Sequence, residues 1–468
     1  MSSTAHARTQ HGSGHSPTPS DRDAERTARW IGLAFVALIV SAEFKFRVRD
    51  ANAALEGDVD AQVLLELLIS SAVGGWLLAR RAASDLFRDP RLPPLARRLL
   101  SGSPLALLRF ITLGFLISSF WSPTSIATVR AMQLVVLVEL GIEACLVCRG
   151  SEQALAALRK AFAVGLTAAT AVAALLTFSL PSFDPFLTTY VSTFRDIDRF
   201  RLLFIHPIAT ATLLGVIIVL TANTIIASRD RPSSGRVRQN RAIATLVLLA
   251  ALSGLILTRQ RGSSLAAFVA VGILLVLASD RAWRSRVGLL TAGVGLAVVT
   301  ALRPALDAFI TRGQDGAAIA SLSGRRVIFD EALDIFMEHP VTGLGYLAGR
   351  SVFLPTIPWA GQSHNVLIEI VVSSGLVGLL AYLALFARWF RTVRRGLRRQ
   401  GVSRICAADS VALVALATVS GVSDDSFAGP PRLPATILVL ALALAELTAG
   451  PAQNASLLHR PWRRHANA

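Results

Sequence analysis

About twelve apolar runs of membrane-crossing length follow one another along the chain, and that recurrence limits its fold more than any other feature. A segment in hydrocarbon has no water to bond its peptide groups, and a helix satisfies all of them internally. About 20 apolar residues then span the bilayer core. The runs predict helices at about 28–42, 61–79, 104–120, 126–147, 161–181, 203–227, 242–258, 263–279, 287–302, 364–387, 405–423 and 433–450. A mean hydropathy of +0.55 agrees with this. The expected fold is an all-α polytopic membrane protein.

The formal charge of +17 does not make the chain a nucleic-acid partner, because its arginines fall between the apolar runs rather than in one domain. Topology and anionic lipid headgroups account for that placement. Twelve helices put both termini on one side. That side then holds more than twice the Arg and Lys of the other, including the stretches Arg80–Arg109, Arg229–Arg241 and Arg388–Arg404. The positive-inside rule makes it cytoplasmic. Residues 1–27 are expected to be a disordered cytoplasmic tail without a cleavable signal peptide, 28–450 the membrane domain, and 451–468 a second cytoplasmic tail. Cys145 and Cys148 form a C-x-x-C inside an apolar run, with no second pair for zinc, and read as packing residues.

The opposite face carries one large loop, about 303–363. Its stretch Gly324–Pro340 is amphipathic: Phe329, Ala332, Leu333 and Phe336 share one side, and Asp330, Glu331, Asp334 and Glu338 the other. This predicts a helix on the membrane surface, stopped by Pro340, with a tight turn at Gly343 and Gly345. After the loop, Ser363 is the expected N-cap of a membrane helix, with His364 and Asn365 in its first turn. Glu369 lies one turn deeper, where a carboxylate is expensive and usually functional. Gly375 and Gly378 are expected to admit a close neighbour.

Three motifs recur in a set order. Arg261-Gly262 opens a membrane helix, a Gly324-Arg325 helix ends in His339-Pro340-x-x-Gly343-x-Gly345, and Ser363-His364-Asn365 precedes Glu369 and Gly375-x-x-Gly378. Over about residues 195–450 this order resembles the O-antigen ligase and polymerase superfamily of bacterial envelope glycosyltransferases. Arg199-Phe-Arg201, running into His206-Pro207, is similar to that family's loop-to-helix junction, with Ile208 where the family usually has Asn. The resemblance implies a C-type glycosyltransferase architecture in the bacterial inner membrane. It implies transfer of a glycan from undecaprenyl diphosphate to an acceptor hydroxyl on the non-cytoplasmic face, without nucleotide sugar, metal or other cofactor. The implied partners are a lipid-linked glycan donor and a glycan or lipid-glycan acceptor.

Within that frame Arg259 and Arg261 form a candidate diphosphate clamp at a helix N-terminus, because guanidinium forks match phosphate oxygens. Capping a tight turn is their structural alternative. Arg199 and Arg201 are the second candidate pair. His364 is the candidate general base, since a helix N-terminus and partial burial both favour the neutral imidazole that accepts a proton; a plain helix cap is its alternative. Glu369 is the candidate catalytic partner that orients His364 or an arginine, and Asn365 supports the site. A rival pattern is the acidic stretch Glu56-Gly-Asp58-Val-Asp60, with Asp424-Asp425 as a second carboxylate pair, which a metal-dependent transferase would use to hold Mg²⁺ or Mn²⁺. A carrier or flippase of lipid-linked oligosaccharide is the alternative function; interrupted helices or internal repeats would favour it.

Overall fold

The computed structural model describes residues 19–44, 60–83, 102–180, 186–187, 199–203, 205–229, 234–278, 325–357, 363–423 and 427–449, with isolated positions between 285 and 311. Among them run thirteen helices: α1 (Pro19–Glu43), α2 (Ala61–Ala83), α3 (Pro104–Ser118), α4 (Ala127–Cys148), α5 (Glu152–Ser179), α6 (Pro207–Ala227), α7 (Gly235–Leu257), α8 (Arg261–Ala278), α9 (Arg325–Glu338), α10 (Ala348–Thr356), α11 (Val366–Gly396), α12 (Val402–Ser423) and α13 (Leu433–Ala449). Strand β1 (Phe186–Leu187) pairs antiparallel with β2 (Arg199–Phe200), the one non-helical element among the described residues.

Helices α2, α4, α5, α6, α7, α11 and α12 are long and apolar enough to cross a membrane, and α3, α8 and α13 are shorter apolar helices. The chain is a multi-pass helical membrane protein. The expected helix at 287–302 lies outside the described residues. Several helices outrun their apolar stretch. Serine caps start α3, α5 and α7: the side chains of Ser103, Ser151 and Ser234 accept from Ala106, Ala154 and Val237 N–H. The caps of α5 and α7 stand well before the expected starts, so charged turns such as Arg236–Arg241 are helical. Helix α1 likewise begins at Pro19, within the stretch expected to be a disordered tail.

Helix α13 is apolar on every side and buried on nearly every side, as such a helix must be. It packs against α12, α11, α4, α1, α3 and α6, and so joins the N-terminal helices to the C-terminal ones. Helix α6 is the other central element, with 78% of its apolar span buried against 11% for α7, which leaves α7 at the rim. Glu43 closes α1. It is 5% exposed and accepts a hydrogen bond from Leu433 N–H at the start of α13.

Charges inside the bundle are paired. Arg130 on α4 bonds Glu66 on α2 and Gln133, and Arg159 on α5 bonds Asp409 on α12, which Asn223 Nδ2 on α6 also reaches at 2.7 Å. A buried carboxylate or guanidinium persists only with such partners.

The least expected feature is in α11. Gly375 has φ 57° and ψ −153°, so the helix is broken there. The turn after α9 fills the break. Leu344 and Gly345 N–H donate to Val372 and Ser373 O at 2.9 and 3.0 Å, while Leu376 and Val377 N–H donate to Pro340 and Val341 O at 2.8 and 3.2 Å. Four backbone groups of α11 at the break thereby find partners, as non-helical chain at membrane depth requires. The expected close neighbour of Gly375 is therefore the chain's own loop. Interrupted helices are also a mark of transporters, but this interruption is closed by backbone pairing rather than left lining a pathway.

The loop itself differs from a single surface helix. Helix α9 buries Ile328, Ala332 and Ile335 against Phe353 and Ile357 of the α10 region and Val372 of α11. Leu333, expected on the buried side, is 59% exposed. Beyond the turn, Tyr346 is fully buried, stacks on Phe115 with ring centroids 4.8 Å apart, and donates its hydroxyl to Gly429 O at 2.8 Å. Burial pushes that phenol well above the usual tyrosine range, so the hydroxyl stays a donor.

Candidate functional site

Three separate segments carry the candidate residues. The first precedes α6. Along Arg199–Leu202 the arginines alternate with Phe200, 6% exposed, and Leu202, 2% exposed, so Arg199 and Arg201 share the less buried side of an extended stretch. Threonines hold the following residues: Leu202 N–H donates to Thr210 Oγ1 at 3.3 Å, and Leu203 N–H to Thr177 Oγ1 at 2.7 Å. His206 Nδ1 accepts from Ile208 N–H, and Pro207 starts the helix, so His206 is a cap.

The second segment joins α7 to α8. Thr258 Oγ1 donates to Leu255 O at 2.6 Å and accepts from Gln260 N–H at 3.3 Å. Between them Arg259 takes a left-handed conformation, φ 51°, which turns the chain at once into α8. Arg259 is exposed and Arg261, the first residue of α8, is half-buried.

The third segment starts α11. The cap is Asn365 rather than Ser363: its Oδ1 accepts from Leu367 and Ile368 N–H at 2.9 and 3.3 Å. Ser363 instead folds back on Glu369, donating its hydroxyl to Oε2 at 2.9 Å and its N–H to the same oxygen at 3.4 Å. Glu369 is 3% exposed and Ser363 fully buried. The two ends of this clasp hold His364 between them at φ 52°, half-buried. Histidine tolerates that region better than most residues. Glu369 thus orients the His364 turn through Ser363. Gly349 of α10 lies over the carboxylate, where an added Cβ would stand 3.3 Å from Oε2.

Short polar contacts gather the three segments at one end of the bundle. Thr212 of α6, Ser263 of α8 and Ser420 of α12 stand with each pair of hydroxyl oxygens 3.3 Å apart. Two residues on along α12, about 3 Å of rise, Val422 O accepts from Asn365 Nδ2 at 3.1 Å. The start of α6, the start of α8 and the start of α11 therefore surround the end of α12. Arg199, Arg201, Arg259, Arg261, His364 and Asn365 belong to one layer, with Glu369 a turn below.

Residues 246–383 match the profile of a family described as O-antigen ligase. An O-antigen ligase of Pseudomonas aeruginosa is 29% identical over 145 residues, 31% of this chain and 33% of that protein. Over this stretch the chain is similar to the O-antigen ligase and polymerase superfamily. The O-antigen ligase match takes in Arg259, Arg261, His364, Asn365, Glu369 and the whole of the turn that fills the α11 break. Arg199 and Arg201 lie before it. The matched stretch spans a third of the P. aeruginosa protein.

Of the rival carboxylates, Asp60 caps α2, its Oδ1 accepting from Val63 N–H at 3.0 Å. Glu56, Asp58, Asp424 and Asp425 lie outside the described residues. Among the described residues no cluster of three or more His, Cys, Asp or Glu is placed to hold a metal ion. Sequence reading missed Ser363 as the partner of Glu369, although a Ser six residues before a buried Glu at a helix start was a usable sign. It also passed over Gln260.

Proposed function

We propose that this chain transfers a glycan from an undecaprenyl-diphosphate-linked donor to an acceptor hydroxyl on the non-cytoplasmic side of the bacterial inner membrane, as an O-antigen ligase or polysaccharide polymerase. The observation that carries the proposal is the convergence of an arginine-bearing helix start, an arginine-bearing extended stretch and a clasped histidine around the end of α12. Arg261, with Arg259, Arg199 and Arg201, holds the diphosphate and offsets the charge that grows on it as the bond to the sugar breaks. The acceptor oxygen attacks the anomeric carbon and passes its proton to His364, and undecaprenyl diphosphate leaves with the bonding electron pair. Glu369 and Ser363 fix the His364 turn, and Asn365 ties it to α12. Resting charge stabilisation on guanidinium groups leaves no step that requires a metal.

The test is single-turnover transfer by purified protein, with lipid-linked repeat units as donor and with or without a separate glycan acceptor. His364→Ala is expected to bind donor normally and to transfer about 10²–10⁴-fold more slowly, the range of lost acid–base catalysis. Arg261→Ala is expected to weaken donor binding and turnover together, with Arg261→Lys a partial rescue because a point charge cannot reproduce the fork. Transfer at the normal rate by His364→Ala would make His364 a turn residue and move the base elsewhere.

A further inference from the structure

Two buried polar groups at the start of α8 have no use within the fold. Gln260, 2% exposed, precedes the helix, and its amide nitrogen has no hydrogen-bond partner among the described residues. Ser264, 4% exposed, stands one turn on, and its hydroxyl has none either. Four residues apart, they fall on the same side of the helix start. Ser263 beside them is occupied by Thr212 and Ser420, so neighbouring hydroxyls in the same layer are satisfied while these two are not. Buried donors are seldom left unpaired, and each exception calls for a cause.

The cause is supplied by what surrounds them. In the first turn of α8 the N–H groups of Gly262 and Ser263 have no helical carbonyl four residues back. Arg261 starts the helix, and the left-handed Arg259 turns the chain tightly into it. A donor amide, a hydroxyl, first-turn backbone N–H groups and a guanidinium together suit an anion with several oxygens.

We propose that Gln260 Nε2 and Ser264 Oγ are donor groups for the diphosphate of the lipid-linked substrate, completing at the α8 start a site of which Arg261 supplies only the charge. This rests on the diphosphate-donor reading above. Arg261 then sets affinity for any phosphate, and the two neutral donors select a second phosphoryl group.

Gln260→Met tests it, because methionine keeps much of the shape and removes the amide donor together with its carbonyl oxygen. Binding of farnesyl diphosphate, farnesyl monophosphate and farnesol is measured on detergent-purified full-length protein, together with thermal stability without ligand. The expected result is farnesyl diphosphate binding about tenfold weaker in Gln260→Met and about fivefold weaker in Ser264→Ala, with a smaller loss for the monophosphate and none for farnesol. The ligand-free Ser264→Ala protein should be as stable as the parent or more so, since an orphaned hydroxyl has been removed. Unchanged diphosphate binding in both variants while Arg261→Ala loses it would overturn the inference and leave the donor reading standing. Unchanged binding in Arg261→Ala as well would overturn both.

Discussion

Replacing Gly375 by alanine should separate the front of α11 from its shaft. The residue sits at φ 57°, ψ −153°, a region that residues with a Cβ avoid. A Cβ there would lie 2.5 Å from Val341 C and O and 2.7 Å from Pro340 O, all backbone atoms that cannot swing aside. Two terms add. The dihedral strain is worth about 1–3 kcal/mol. Displacing the 339–345 turn also breaks the Leu376–Pro340 and Val377–Val341 bonds, each costing about 1–3 kcal/mol where lipid rather than water replaces the partner. A loss of about 3–6 kcal/mol is expected after partial relaxation. The assay is reversible unfolding in mixed micelles, followed by tryptophan fluorescence. Gly114→Ala and Gly272→Ala are the controls, because an added Cβ at either meets nothing within 4 Å; both should be neutral or slightly stabilising. Transfer should fall with Gly375→Ala even in the folded fraction, since the front of α11 carries His364. A Gly375→Ala protein within about 1 kcal/mol of the parent would refute the backbone splint.

Three shorter tests accompany it. Cysteines placed at Arg350 and Arg394 should label from opposite sides of the membrane, and labelling from one side would end the twelve-helix topology with cytoplasmic termini. Exhaustive chelation should leave transfer intact; loss that Mg²⁺ or Mn²⁺ restores would shift the chemistry to the carboxylates around Asp58 and Asp60. Asn365→Ser retains a capping oxygen but removes the amide bond to Val422 O, at a cost of about 1 kcal/mol. Its transfer rate should drop more than its abundance, and a parent-like rate would show that the tie to α12 does not position His364.

The sequence made the helical membrane class legible because a long apolar run has one solution in a bilayer. It made helix ends less legible. Apolar runs mark the part of a helix in hydrocarbon, whereas caps such as Ser151 and Ser234 mark where the helix starts. The face of α9 was misjudged because the helix is apolar on two sides. Ile328, Ala332 and Ile335 compete with Val327, Leu333 and Met337, and only the presence of Phe353 and Val372 decides between them. The break at Gly375 was marked only by Ser373-Ser374-Gly375, a sequence that permits a close approach as readily as an interruption. The pairs Arg130–Glu66 and Arg159–Asp409 join residues far apart in the chain, which spacing cannot reveal.

Local strain ties the candidate site together in a way that no motif shows. Among the described residues four non-glycine positions have positive φ: Leu203, Arg259, Leu347 and His364. Three of them fall one to each of the segments that carry the candidate residues, and the fourth adjoins Tyr346. A left-handed residue costs about 1–2 kcal/mol, so each must be held by its surroundings. Thr177 holds Leu203, Thr258 brackets Arg259, and the Ser363–Glu369 clasp holds His364. Each tether is a buried hydroxyl or carboxylate. Such groups are kept in place by the strained turns they serve, and those turns are what present Arg199, Arg201, Arg259, Arg261 and His364 at one end of the bundle. Under the proposed mechanism, the threonines and Glu369 would set the geometry within which the arginines and His364 act.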